Sequence, residues 1–310
     1  MRSLITRRSL LLSVPALVAC GAGDDRSLTV AAGEEGGFYL AFAKLLADQV
    51  NQADVGLRCT AAATEASVEN LGMLSTGKAD LALVLADTAL TAIAGGRPFT
   101  TPVPLLALGR VYENYMQLVV RKDGPVRTVA DLAGRTVSFG AAGSGAALFG
   151  ERLLAASGSR PQVEHLPLAD AVAALTARRI DALLWSGGLP TPALADLDSR
   201  IGILLVSLED VTQKLRLAYG PVYESVLVPP GAYQQVRDIR TAGVANLLVC
   251  TPNLPDDVAG SVVSVLVKRA AQLVPQQAVG TQFLDPRTLI GTVGVPLHPG
   301  AAARYRQLHG

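Results

Sequence analysis

Two stretches of this chain carry the same pattern, and that repetition limits the folds open to it more than any other feature. Leu28-Thr29-Val30-Ala31-Ala32 is a short apolar run, followed by Gly33-Glu34-Glu35-Gly36-Gly37 and a helix-like segment from Phe38 to Val50. Thr136-Val137-Ser138-Phe139 is a second such run, followed by Gly140-Ala141-Ala142-Gly143-Ser144-Gly145 and a helix-like segment through Ala155, with the same Gly-x-x-Gly spacing. Further along, Val68, Leu71 and Leu74 mark a helix face that runs into Asp80-Leu81-Ala82-Leu83. Val172 and Leu175 run into Asp181-Ala182-Leu183-Leu184 at matching distances. Each copy therefore reads strand, glycine turn, helix, strand, helix and Asp-led buried strand, the order of a parallel sheet with helical crossovers.

Two α/β lobes built this way face each other with the carboxyl ends of their strands, where ligands of open α/β sheets bind. The spacing places the first part of lobe 1 at 28–112, lobe 2 at 113–217 and a return to lobe 1 at 218–310. The chain is expected to cross between lobes near Arg110 to Gln117 and near Leu217 to Val222, as a hinge suited to closing over a small ligand. A monomer is expected.

Composition removes several classes. With 27 basic and 26 acidic residues the net charge is +1 and no basic stripe stands out, which argues against nucleic acid. The chain is 50% hydrophobic, but no uncharged apolar run reaches the ~18 residues of a membrane-spanning helix. Low aromatic content, 5%, argues against an oligosaccharide site with several stacking rings. The sequence has no G-x-S-x-G elbow, H-E-x-x-H or Walker loop, so no enzyme is expected. The G-x-x-G-x-G turn lacks the glycine order of a dinucleotide fingerprint, and no cofactor is expected. The histidines, His165, His298 and His309, are scattered without metal-ligand spacing.

The N-terminus reads as a leader. Arg2, Arg7 and Arg8 form a basic region and Ser9 to Ala19 an apolar one of signal-peptide length. Leu17-Val18-Ala19-Cys20 resembles the lipobox of bacterial lipoproteins. That resemblance implies a signal peptide at 1–19, acylation of Cys20 and a short tether at 20–27, so that the mature protein is extracytoplasmic and held at a membrane surface. Cys59 and Cys250 lie in apolar strand-like runs and are read as separate buried thiols.

A family resemblance rests on motifs in order along nearly the whole mature chain. They include Gly36-Gly37-Phe38-Tyr39, Ala63-Thr64-Glu65-Ala66-Ser67-Val68-Glu69-Asn70-Leu71, and Ala79 through Asp87. Val111-Tyr112-Glu113, Asp131-Leu132-Ala133-Gly134-Arg135, Gly187-Gly188-Leu189-Pro190 and His298-Pro299-Gly300 continue them. Together they resemble the TAXI family, the solute receptors of TRAP transporters. The resemblance implies a two-lobe α/β periplasmic-binding-protein type II fold, with parallel-rich sheets and a hinge between lobes. It further implies a small carboxylate ligand, such as a dicarboxylate or amino acid, and delivery to a membrane permease. Thr64-Glu65-Ala66-Ser67 departs from the family's Thr-Gly-Gly-Ser, which puts backbone contacts to ligand there in doubt. An ABC-type receptor, or a sensory module for a membrane histidine kinase, would use the same fold.

The candidate binding residues follow from helix starts and strand ends. Gly37, Phe38, Tyr39, Ser67, Ser144 and Gly145 open helices whose free N–H groups and positive dipole ends suit an anion. Ser67 and Ser144 serve equally as ordinary caps, and Phe38 and Tyr39 equally as core. Asn70 is a solvated or a ligand-facing residue of a first turn. Asp87 caps a helix or receives an ammonium. Trp185, with Ser186 after it, ends the Asp181-led strand and is read as cleft lining or core. Arg110 is a guanidinium clamp for a carboxylate or half of a salt bridge. The family motifs add Thr64, Gly188 and Pro190.

Overall fold

The computed structural model describes residues 26–229, 231–234, 238–275, 284 and 286–309. The expected leader at 1–19, the acylated Cys20 and the tether through Asp25 lie outside those residues. Arg26 and Ser27, expected in the tether, instead open the first strand, where they pair with Leu57 and Arg58.

The first copy forms β1 (Arg26–Ala31), α1 (Phe38–Gln52), β2 (Leu57–Ala62), α2 (Ser67–Ser75), β3 (Leu81–Leu85) and α3 (Ala86–Ile93). A long strand, β4 (Leu106–Arg121), leads into the second: β5 (Thr136–Ser138), α4 (Gly145–Ser157), β6 (Gln162–Glu164), α5 (Leu168–Thr176) and β7 (Ala182–Gly187). Then come α6 (Pro192–Ile201), β8 (Ile203–Val206), α7 (Glu209–Tyr219) and β9 (Glu224–Leu227). The chain closes with β10 (Arg240–Cys250), α8 (Asp256–Lys268), α9 (Pro286–Leu289) and α10 (Pro299–His309). No described helix is long and apolar enough to cross a membrane.

Both copies arrange their strands alike. β1 pairs in parallel with β2 and β3, and β5 does the same with β6 and β7. The aspartate leading each buried strand ties it to the first strand of its copy. Asp80 accepts the Thr29 N–H at 2.8 Å and donates its own N–H to the Thr29 carbonyl at 3.0 Å. Asp181 accepts the Thr136 N–H at 3.1 Å and donates to the Thr136 carbonyl at 2.8 Å. In each case the carboxylate satisfies a strand N–H that the ladder has left over.

β4 and β10 join the copies. β10 pairs antiparallel with β3, β4 and β9, and β4 pairs antiparallel with β7 and β8. One sheet results, in the order β2-β1-β3-β10-β4-β7-β5-β6. Parallel strand ladders stay inside each copy and the strand ladders of β4 and β10 are antiparallel, so the sheet is mixed; a single parallel bridge also joins Ala107 of β4 to Leu297. The second crossing, expected near Leu217 to Val222, falls in β10. β9 pairs with Arg240–Gly243, and the buried Tyr233 hydroxyl donates to Gln117 and accepts the Thr191 N–H at 3.1 Å. The segment after α7 is thus held against lobe 2 by long-range contacts that local pattern does not announce.

An apolar core common to both lobes runs from Leu85, Ala86 and Ala89 to Phe139, Phe149 and Tyr223. Cys59 on β2 and Cys250 on β10 are buried and free, with β1 and β3 between their strands. Burial pushes both thiols up to about 12.

Inside the shared core one ion pair bridges the lobes. Arg152 of α4 donates to Asp87 of α3 at 3.3 Å, to the Tyr223 hydroxyl at 2.6 Å and to Thr91 at 2.5 Å. Tyr223 in turn donates to Asp87 at 2.7 Å. Burial pushes the Asp87 carboxyl up, against the pull of Arg152, Tyr223 and Thr88. Arg152→Ala leaves Asp87 buried with its countercharge gone. We expect a loss of about 3–5 kcal/mol in denaturant unfolding; a loss under about 1 kcal/mol would show that the bridge is dispensable.

Candidate functional site

Helix starts from both lobes converge where the two copies face each other. Lobe 1 contributes the first residues of α1 and α2, and lobe 2 the first residues of α4 with the end of β7. From lobe 1, Glu34, Gly37, Phe38, Tyr39, Glu65 and Ser67 line the cavity between them. From lobe 2 come Ser144, Gly145, Trp185 and Ser186, with Asn114 on the crossing strand β4.

The polar groups of this lining are organised by the strands beneath. The Tyr39 hydroxyl donates to Asn246 of β10 and lies 3.4 Å from the Ser67 hydroxyl, which accepts the Leu85 N–H at 3.1 Å. Burial pushes the Tyr39 phenol far up, so it remains a donor. Asn114 donates to Ser186 at 2.9 Å. Trp185 presents its ring to the cavity and donates its indole N–H to Thr191 at 3.0 Å. Four buried side-chain atoms on β4 and β10 have no hydrogen-bond partner: the Tyr112 hydroxyl, Glu113 Oε1, Asn114 Oδ1 and Asn246 Nδ2. Leaving such groups unpaired costs about 1–3 kcal/mol each, and Asn114 does so on the cavity wall.

The lobes meet closely. A Cβ on Gly145 would fall 2.5 Å from Leu85 Cδ1 and 2.9 Å from the Ser67 hydroxyl, so only glycine allows this approach. The cavity encloses about 30 Å³, room for one water. Any larger solute requires the lobes to part. Grooves of about 620 and 670 Å³ lie elsewhere on lobe 1, on its surface between α8 and α10 and around Pro102 and Pro252. Neither adjoins the helix starts.

The structure thus brings together Gly37, Phe38, Tyr39, Ser67, Ser144, Gly145, Trp185 and Ser186 from among the sequence candidates. Ser144 also caps α4, accepting the Ala147 N–H at 3.1 Å. Other candidates are engaged away from the cavity. Asn70 is fully buried, donating to the Ala32 and Leu83 carbonyls at 2.6 and 2.7 Å, and Thr64 donates to it at 2.6 Å. Those bonds close the carboxyl ends of β1 and β3, a structural duty for both residues. Asp87 is committed to Arg152 and Tyr223. Arg110 is paired with Glu113. Gly188 faces the Phe38 ring, where a Cβ would fall at 2.6 Å, and the Leu189-Pro190 bond is cis; neither residue lines the cavity.

Sequence reasoning missed Glu34, Glu65 and Asn114. Glu34 lies in the first glycine turn and Glu65 in the segment before α2, where local pattern gives neither a cavity role, and Asn114 sits in a strand with no local signal. Among the described residues no Lys, Arg or His lines the cavity, while two carboxylates do. Burial pushes the Glu34 carboxyl up, against the bond it accepts from the Leu168 N–H. Ala66, just before α2, holds φ at +92°, a left-handed value that costs a non-glycine residue about 1–3 kcal/mol.

Comparison with known proteins bears on this arrangement. The NMT1-like family profile matches residues 30–307. A protein of Bordetella bronchiseptica RB50 is similar in structure, with a TM-score of 0.54 and 17% identity over 92% of this chain and 81% of that one. The alkanesulfonate-binding protein SsuA of Xanthomonas axonopodis pv. citri, bound to MOPS, gives 0.50 and 19% over 92% and 84%. A mutant of ArgBP from T. maritima gives 0.51 and 15% over 80% and 91%. At these identities the likeness establishes the fold alone, a two-lobe α/β architecture.

If Asn70 closes the strand ends, Asn70→Ala strands two carbonyls and should lower stability by about 3 kcal/mol in denaturant melts. A variant of unchanged stability that binds solute poorly would return Asn70 to the ligand contacts.

Proposed function

This chain belongs to the NMT1-like family, and we propose that it is an extracytoplasmic receptor that takes up a small anionic solute between its lobes and presents it to a membrane permease. The observation that carries this reading is the convergence of three helix starts from two lobes on one cavity, with an unpaired Asn114 oxygen in its wall. N–H groups and dipole ends of that kind favour a carboxylate or sulfonate without a basic side chain. The alkanesulfonate title of one structural neighbour is in keeping with an anion. Closing the cleft would remove the solute from water and strengthen those bonds.

The finer assignment, a TAXI-type receptor serving a TRAP permease, is supported by the ordered motifs from Gly36 to Gly300. On the same reading a dicarboxylate or amino acid is the solute, Cys20 carries the lipid anchor, and the protein works by retention of its ligand without turnover. Closure favoured by ligand would give the permease one shape to recognise.

Trp185 is the only tryptophan of the chain and lies on the cavity wall, so its emission reports occupancy directly. Titration of the full chain with succinate, glutamate, 2-oxoglutarate, an alkanesulfonate and glucose should give a saturable change with one or more anions. Ser144→Ala should weaken that binding about tenfold, some 1.4 kcal/mol, while Arg110→Ala should leave it unaltered. Saturation by glucose, with no response to any anion, would refute the reading.

A further inference from the structure

We propose that Glu65 is a tethered stand-in for the solute's carboxylate, holding the lobes closed until a solute displaces it. The inference rests on the receptor reading above and names the anion seat within that site. Glu65 belongs to the loop before α2 in lobe 1, yet its carboxylate accepts the Gly143 N–H of lobe 2 at 2.7 Å. The carbonyl of the same Gly143 accepts the Val68 and Glu69 N–H groups, the first free donors of α2, at 3.0 and 3.1 Å. One residue of lobe 2 is thereby held by lobe 1 through both its N–H and its carbonyl. Glu69 orients the grip by accepting the Glu65 N–H at 2.6 Å.

The fit is steric as well as polar. A Cβ on Gly143 would fall 2.7 Å from the Glu65 carboxylate and 3.2 Å from its Cβ. A side chain at position 143 would therefore displace the Glu65 carboxylate and press on Glu65 and Glu69. A second carboxylate acts in parallel: Glu34 of lobe 1 accepts the N–H of Leu168, the first residue of α5, at 2.6 Å. Both acids come from lobe 1, both line the cavity, and both satisfy donors of lobe 2. The cavity left between them, about 30 Å³, matches a cleft closed by its own side chains.

A carboxylate-bearing solute can replace Glu65 on the Gly143 N–H, since it offers the same acceptor. An uncharged solute offers a weaker one and leaves the clasp in place. Binding then carries the cost of opening the self-closed state, and removing Glu65 lifts that cost.

Hydrogen exchange by mass spectrometry on the purified full chain tests the clasp without any solute. In wild-type protein the amides of Gly143, Val68 and Glu69 should be protected. Glu65→Ala and Gly143→Ala, which break the clasp from opposite lobes, should speed their exchange about tenfold or more. Glu65→Gln, which keeps an acceptor, should fall between. Unchanged exchange in both alanine variants would overturn the proposal. Succinate and glutamate, titrated against Trp185 emission, should bind Glu65→Ala about tenfold more tightly than wild type. Weaker binding to Glu65→Ala would also overturn it, making Glu65 a direct ligand contact. If neither probe binds any variant, the receptor reading loses its support, and the exchange rates alone decide the clasp.

Discussion

The antiparallel ladder between β4 and β10 is the constraint on which the rest depends. It runs from Gly243 against Tyr115 to Cys250 against Leu106, with register shifts after Asn246 and after Leu248, and it joins the strands that carry the two copies. The duplicated units hang on its two sides, β3-β1-β2 on β10 and β7-β5-β6 on β4. Register slips would move whole side-chain sets from one face to the other, so this ladder also sets which residues face the cleft. Asn114 reaches the cavity and Asn246 the Tyr39 hydroxyl because they sit on these two strands, and one atom of each has no hydrogen-bond partner.

Around that spine the molecule divides its polar contacts between two tasks. Arg152, Asp87 and Tyr223 bridge the lobes within the shared core, where burial makes the loss of any one partner costly. Glu34 and Glu65 bridge them at the cavity, where the partners are backbone N–H groups that a solute could equally well satisfy. The first set ties the lobes together away from the cavity, and the second can be exchanged. A receptor that must close over its ligand and then release it uses contacts of the second kind at the site and keeps the first kind out of it.

Much of the frame was legible in the residues. Duplicated Gly-x-x-Gly turns and Asp-led runs mark β1 to β3 and β5 to β7, because strand alternation, helix periodicity and turn glycines are local properties. Asp80 and Asp181 even perform the same bond in each copy. What escaped was set by contacts distant in sequence. The packing of Tyr233 on Gln117 and Thr191 keeps the chain in lobe 2 as far as β10. Polar residues near helix starts could be listed but not sorted, since a cap, a strand-end bond and a ligand contact use the same side chains. Asn70 and Thr64 went to the strand ends, Asp87 and Arg110 to ion pairs, and Ser67 and Tyr39 to the cavity. Glu65 was visible as an acid in the turn before α2; its reach to Gly143 was not, because that bond joins two lobes.

The central claim is that a small anion binds between the lobes against the starts of α2 and α4. Its most direct test is a crystal structure of the protein grown with the tightest-binding solute from the titrations. The account predicts density between Ser67 and Ser144, an anionic oxygen on the Gly143 N–H, and Glu65 swung away. Solute density on the groove between α8 and α10, with Glu65 still bonded to Gly143, would contradict it.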